Sequence, residues 1–176
     1  MQRTTRVFFR NDDVHRPQAG LAEVTAVFRQ RGLPIVHAVE PATLAPETAA
    51  WLLAQPPETV EIIQHGYAHV VHDRGEFGGD RPAADQRRDL ERGLAIMTGA
   101  CGERFFPAMS FPFGLYNDHS PRILDDLGYR VLTSHFRPEP SRQVFYAAGR
   151  LLGRGRWRDR HVSHHLRRYP GTRLLE

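Results

Sequence analysis

Val60-Glu61-Ile62-Ile63-Gln64, followed at once by His65-Gly66-Tyr67-Ala68-His69, is the stretch that decides the fold. Residues 60–64 read as a short buried strand, so two imidazoles stand just past a strand end. A second stretch does the same with carboxylates. Val7-Phe8-Phe9, inside a strand read over residues 6–10, runs into Asn11-Asp12-Asp13. In a parallel α/β sheet such strand ends share one edge, and active sites form along it. Together the two patches propose a divalent metal held by one Asp and two His, with a second Asp beside it.

Working outward, strand and helix patterns alternate. Residues 19–31 read as an amphipathic helix with Leu21, Val24, Val27 and Phe28 on its apolar stripe and Gly32 as its stop. Residues 33–39 read as a second buried strand. Pro46 suits the first turn of a helix carrying Ala50, Leu53 and Ala54, which Pro56-Pro57 ends. After strand three comes a polar, Gly-rich loop through residues 75–80. Pro82 opens a longer helix with Leu90, Leu94 and Met97 on one side, closed by Gly99. Residues 105–109 read as strand four. Ser120-Pro121 reads as an N-cap plus first-turn proline, and Gly128 ends that helix. Residues 130–133 read as strand five. The alternation indicates a parallel α/β architecture. Beyond residue 136 it changes, to a loop at 138–141 and two strands near 143–148 and 160–164 with no helix between them.

At 176 residues, 40% apolar and 25% charged, the chain reads as one soluble domain over 1–176. No apolar stretch reaches membrane-spanning length, and the N-terminus lacks the apolar core of a secretory signal, so the expected compartment is the cytoplasm. The single Cys101 excludes an intrachain disulfide and a Cys-rich zinc site. Its place in Gly99-Ala100-Cys101-Gly102 reads as a structural helix-end turn. All 24 basic residues are Arg. Without Lys there is no Schiff-base chemistry and no Walker-A phosphate loop. Arg clusters in the C-terminal segment 150–176. No nucleic-acid motif accompanies it, so a solvated Arg-rich surface outweighs nucleic-acid binding there.

Each candidate residue has a plainer reading beside the chemical one. Residues four apart on a helix are neighbours, so His65 and His69 can converge on one ion. Spacing alone is weak support, because the chain has ten His and His161 with His165 forms a second such pair. Position at a strand end separates the first pair from that rival. Asp12-Asp13 has a rival in Asp125-Asp126, which sits mid-helix, where solvation explains it. At a strand end, adjacent carboxylates can divide labour, one on the cation and one accepting a proton; the alternative is a turn or capping Asp. Ser110-Phe111-Pro112-Phe113-Gly114 follows strand four, and a Pro-aromatic-Gly turn can aim an N–H at a developing oxyanion. His164, at the end of Val162-Ser163-His164, can serve as a general acid or be an ordinary surface His.

In order, these pieces resemble the polysaccharide deacetylases, the NodB-homology carbohydrate esterases of family 4. The first motif of that family, an aromatic-Asp-Asp strand end, here reads Phe9-Arg10-Asn11-Asp12-Asp13. The second, His-x-x-x-His, is His65 to His69. The third, Arg-x-Pro-Tyr-Gly, reads Ser110-Phe111-Pro112-Phe113-Gly114, and the last, an apolar strand ending in His, reads Val162-Ser163-His164. The resemblance implies a distorted (β/α)7 barrel, which the short chain leaves open to being incomplete. It further implies Asp12 as general base and His164 as general acid. Asp13, His65 and His69 would be the metal ligands, for Zn²⁺ first and otherwise Co²⁺, Ni²⁺ or Fe²⁺. Phe113, with Pro112 and Tyr116, would form the oxyanion and substrate turn. The implied reaction is removal of an acetyl or short acyl group from an N-acylated carbohydrate or small amide, by a metal-held water.

Two positions depart from the family pattern. Ser110 stands where the family has the Arg that braces the catalytic carboxylate, and the Asp-Trp pair of a fourth motif has no counterpart near Ser134-His135-Phe136. His72 and His135 are further site candidates without a place. A reading of a different class follows from the departures: a catalytically weak relative that keeps the fold as a carbohydrate- or partner-binding module.

Overall fold

The computed structural model of the chain describes residues 8–133 and 172–173. Its centre is a five-stranded, all-parallel sheet of β1 (Arg10–Val14), β2 (Ile35–Val39), β3 (Val60–His65), β4 (Phe105–Ser110) and β5 (Val131–Thr133). Between the strands run α1 (Ala19–Gln30), α2 (Pro46–Leu53), α3 (Ala83–Cys101) and α4 (His119–Asp126). Strand order in space follows strand order in sequence. That singly wound order is the order of a barrel rather than of an open, doubly wound sheet. The sheet also curls, since Arg10 on the first strand hydrogen-bonds Thr133 on the fifth. Among the described residues, the (β/α)7 barrel expected from the sequence is represented by these five strands, and no helix is long and apolar enough to cross a membrane.

Side chains alternate between the two faces of each strand. On one face Val39, Ile62, Met109 and Leu132 are buried with Leu52, Leu90, Met97 and Leu124 of the helices. Ala38, Ile63 and Ala108 form a separate small cluster on the other, inner face. The same alternation carries the inner face forward to His65, Ser110 and Thr133 at the strand C-termini, and Arg10 and Asp12 share a face of β1.

Several expected boundaries shift. Among the described residues the first strand is Arg10–Val14, and Phe8 and Phe9, expected within a strand over 6–10, are 61% and 42% exposed rather than buried. Its pairing with β2 begins at Arg10 opposite Val36 and is broken by a bulge between Asn11 and Val14. Asp12 and Asp13 therefore lie in the bulged strand itself, which re-aims side chains that a regular ladder would hold. On α1 the buried positions are Leu21 and Thr25, while Val27 is exposed. On α2 they are Thr48, Ala49 and Leu52, with Leu53 outward. Helix α3 runs past Gly99 to Cys101 and stops at Gly102, whose φ of 53° suits glycine. Asp118, not Ser120, precedes α4; Ser120 is inside the helix, donating to Gln86 Oε1 at 2.6 Å. Asp125 and Asp126 occupy the last turn of α4, paired with Arg173 and Arg87. The Gly-rich loop before α3 buries Glu76 and Phe77. The strands expected near 143–148 and 160–164, most of the Arg-rich segment, His135 and His164 lie outside the described residues.

His37 shows how tightly β1, β2 and α1 are joined. It is fully buried on the helix-facing side of β2, with Nε2 3.0 Å from Thr25 Oγ1 and Nδ1 3.4 Å from Asn11 Nδ2. Thr25 spends its own proton on the Leu21 carbonyl at 2.7 Å. The chain of donors therefore runs Asn11 to Nδ1, Nε2–H to Thr25, Thr25 to Leu21, and the neutral ring is saturated. Burial pushes its pKa down to about 4. The unfolded chain takes up this proton first as pH falls, so stability is present above pH ~6.5 and is lost on the way to the folded value. Urea denaturation at pH 7 and pH 4 is expected to show a loss of about 3 kcal/mol from this group. The pH slope should flatten in His37→Phe, and an unchanged slope would contradict this account.

Candidate metal centre

His65 is the last residue of β3, and its ring is nearly buried on the inner face. Nδ1 lies 3.1 Å from the Ser110 carbonyl and 3.2 Å from Ser110 Oγ. A carbonyl only accepts, so Nδ1 carries the hydrogen and the Nε2 lone pair faces the cleft. Burial lowers the His65 pKa from its ordinary value, against the raising effect of Asp12 and Asp13. The ring is thus held neutral and ready to ligate.

His69 reaches the same point by a turn rather than by helical spacing, because residues 66–69 form no helix. Gly66 has φ 57° and His69 φ 55°. A side chain on Gly66 would meet the Glu76 carboxylate and come within 2.5 Å of the Pro112 ring, so glycine is required there on two counts. Glu76 is 1% exposed and clamps the turn from below. Ala68 N–H donates to its Oε1 at 2.6 Å and Tyr67 N–H to its Oε2 at 3.1 Å. Burial raises the Glu76 carboxyl above its ordinary pKa, offset by those two N–H groups and by Arg81. The His69 ring leans on Phe113, centroids 4.5 Å apart.

Asp13 completes the cluster. Its Oδ1 is 3.1 Å from His65 Nε2 and 3.3 Å from His69 Nε2. Ligand atoms bound about 2.0–2.2 Å from one ion stand roughly 2.8–3.6 Å apart, a spacing that Asp13 Oδ1 keeps to both histidines, and all three atoms lie within 4.8 Å of one another. Asp12, beside them, is gripped by Arg10, with Nε 2.6 Å from Oδ1 and Nη2 3.0 Å from Oδ2. Arg10, Asp12, Asp13, His65, His69, Phe111, Phe113 and Gly114 line one open cleft of about 340 Å³. Among the described residues, the non-glycine positions with positive φ are Asp13, His69 and Phe113, and all three line this cleft. Backbone strain of that kind collects at functional sites.

No family profile and no curated protein matches the sequence. Solved structures do match its fold. A family 4 carbohydrate esterase from Streptomyces lividans, in complex with acetate, superposes with a TM-score of 0.58 at 17% identity, over 74% of this chain and 62% of that one. This is the polysaccharide deacetylase fold. A family 4 acetyl xylan esterase from Clostridium thermocellum, in complex with a cobalt ion, gives 0.54 at 14% identity, over 67% of this chain and 54% of its own. A pseudoenzyme of the same family from Bacillus anthracis gives 0.55 at 13%, over 81% and 50%. The chain thus spans about half to three fifths of the length of these deacetylase-fold structures.

On this fold the expected residues separate into groups. Asp12, Asp13, His65, His69 and Phe113 meet at the cleft. Pro112 is buried behind it, against Gly66. Tyr116 does not line the cleft; its ring stacks on the cleft residue Phe111, centroids 4.8 Å apart. His72 borders a different surface depression with Asp73, Asp80 and Arg81. The sequence reading missed Arg10, Phe111 and Glu76. Arg10 was detectable, since i and i+2 on a strand share a face with Asp12. Glu76 carried no local signal. Replacing Glu76 with Ala should loosen the turn that carries His69 and weaken divalent-ion binding by about 10–100-fold, while the far-ultraviolet circular dichroism spectrum stays unchanged. Calorimetric titration with Zn²⁺ or Co²⁺ reads the effect.

Proposed function

We propose that the chain is a metal-dependent deacetylase that removes an acetyl or short acyl group from an N-acylated sugar or a related amide. The observation that carries this reading is the convergence of Asp13 Oδ1 with both histidine Nε2 atoms, with Asp12 alongside, at the C-terminal edge of a deacetylase-fold sheet. Asp13, His65 and His69 would hold the ion, and a mixed nitrogen and oxygen set suits Zn²⁺ first and Co²⁺, Ni²⁺ or Fe²⁺ as well. When bound, such an ion polarises a carbonyl and makes a water more acidic. The cobalt ion of the acetyl xylan esterase and the acetate of the Streptomyces esterase support the ion class and the acyl group.

The protein's own groups divide the remaining work. Asp12 takes a proton from the attacking water. Its carboxylate is held at the cleft wall by Arg10, so its reach does not depend on a mobile side chain. The turn at Phe113 offers backbone N–H to the developing oxyanion. The role of His164, donating to the leaving amine, rests on the sequence alone. A cleft of about 340 Å³ is at the small end for ligand sites, which run roughly 300–1,000 Å³, and suits one sugar unit with an exposed remainder.

The pseudoenzyme neighbour and Ser110 favour a second reading, a binding module that has kept the fold without turnover. An N-acetylglucosamine oligomer panel separates the two. The deacetylase releases acetate, and Asp12→Asn lowers the rate by about 10²–10⁴ while keeping one ion per chain. His69→Ala loses the ion. Stoichiometric metal without acetate release across the panel would favour the binding module. A protein that takes up no first-row ion at all would end the deacetylase reading.

A further inference from the structure

Asp12 and Asp13 are adjacent carboxylates beside one candidate ion, and nothing in their chemistry says which of them should ligate it. The geometry does. Arg10 Nε and Nη2 occupy both oxygens of Asp12 in a fork, at 2.6 and 3.0 Å, and its Nη1 is anchored on Thr133 Oγ1 across the mouth of the curled sheet. Among the described residues Asp13 meets no such guanidinium, and its Oδ1 faces the two histidines. A bidentate guanidinium–carboxylate pair fixes both the plane and the position of the carboxylate. The opposite wall is already committed. Ser110 is fully buried, lies opposite Thr133 in the β4–β5 register, and holds His65 Nδ1 through both its carbonyl and its hydroxyl.

We propose that Arg10 is the positioning residue that withholds Asp12 from the metal and keeps it as the base, so that Asp13 alone supplies the carboxylate ligand. This rests on the reading of Asp12 as base and of Asp13, His65 and His69 as ligands. Arg10 reaches Asp12 from the same strand, and Ser110 is thereby free to orient His65. A guanidinium brought in from position 110, which is fully buried, would have to displace that hydrogen-bonded contact.

The test uses the full chain loaded with Co²⁺. In Arg10→Ala, the freed Asp12 carboxylate should join the ion. The visible Co²⁺ spectrum changes, affinity is kept or increased, and kcat falls about a hundredfold with little change in KM. Millimolar guanidinium chloride should restore both the spectrum and part of kcat, and Arg10→Lys should recover less. Ser110→Arg should lower metal uptake rather than raise activity. A spectrum and kcat equal to those of the unaltered protein, a loss of metal that guanidinium does not reverse, or a gain of activity in Ser110→Arg would each overturn the proposal. The side-chain Nε–H resonance of Arg10 gives a reading independent of turnover. It should shift in Asp12→Asn and stay in Asp13→Asn. An unchanged resonance in Asp12→Asn overturns the clamp even in an active enzyme, whereas a correct shift with no turnover and no metal removes only the deacetylase reading.

Discussion

A parallel strand shows alternate residues to opposite faces, and in this curled sheet that one rule decides where the chemistry sits. The helix-facing positions are spent on packing, with Val39, Ile62, Met109 and Leu132 under the helices. The opposite positions need only small or modest side chains low in the sheet, such as Ala38 and Ala108. At the C-terminal edge the same face carries His65, Ser110 and Thr133 into a common space with Arg10. A one-residue slip of any strand would exchange a cleft group for a core group. His65 would trade places with Gln64, whose buried amide donates to the Gly66 carbonyl and accepts from the Tyr129 hydroxyl. Register, rather than any single contact, is therefore what the site depends on.

The bulge in β1 is the exception that the site requires. A regular strand would send Asp12 and Asp13 to opposite faces. The break in pairing between Asn11 and Val14 lets both carboxylates border the cleft, one against Arg10 and the other against the histidines. The strand is not loose for that. Asn11 reaches the buried His37, and the Val14 carbonyl accepts from Glu40 N–H at 2.9 Å. The irregular segment is thus pinned on both sides.

Much of this was legible in the residues. The β3 run into His65 and the alternation of strand and helix gave the parallel architecture, and the spacing of His65 and His69 proposed the donor pair. The remainder was not legible because the deciding partners are distant in sequence. The apolar character of Phe8 and Phe9 suggests a strand interior, but both rings stand exposed ahead of the paired residues, which begin at Arg10 opposite Val36. Helical spacing predicts the histidine pair, but a turn delivers it, and the shape of that turn comes from a carboxylate at position 76. A polar, Gly-rich loop gave no sign that Glu76 and Phe77 would be among its most buried residues. At Ser110 the sequence shows only the missing guanidinium and not the imidazole that the hydroxyl meets.

The left-handed backbone at Asp13, His69 and Phe113 sets the cleft at odds with the rest of the molecule over evolutionary change. Each such residue costs on the order of 1 kcal/mol relative to a relaxed conformation, and glycine is the side chain that relieves it. Selection for thermal robustness alone would drift toward glycine at these three positions, and each step would remove a donor or the aromatic wall beside it. Asp, His and Phe at these positions keep the shape and polar groups of the cleft at a cost in stability. A screen of random variants ranked only by melting temperature would enrich for proteins that are sturdier and emptier.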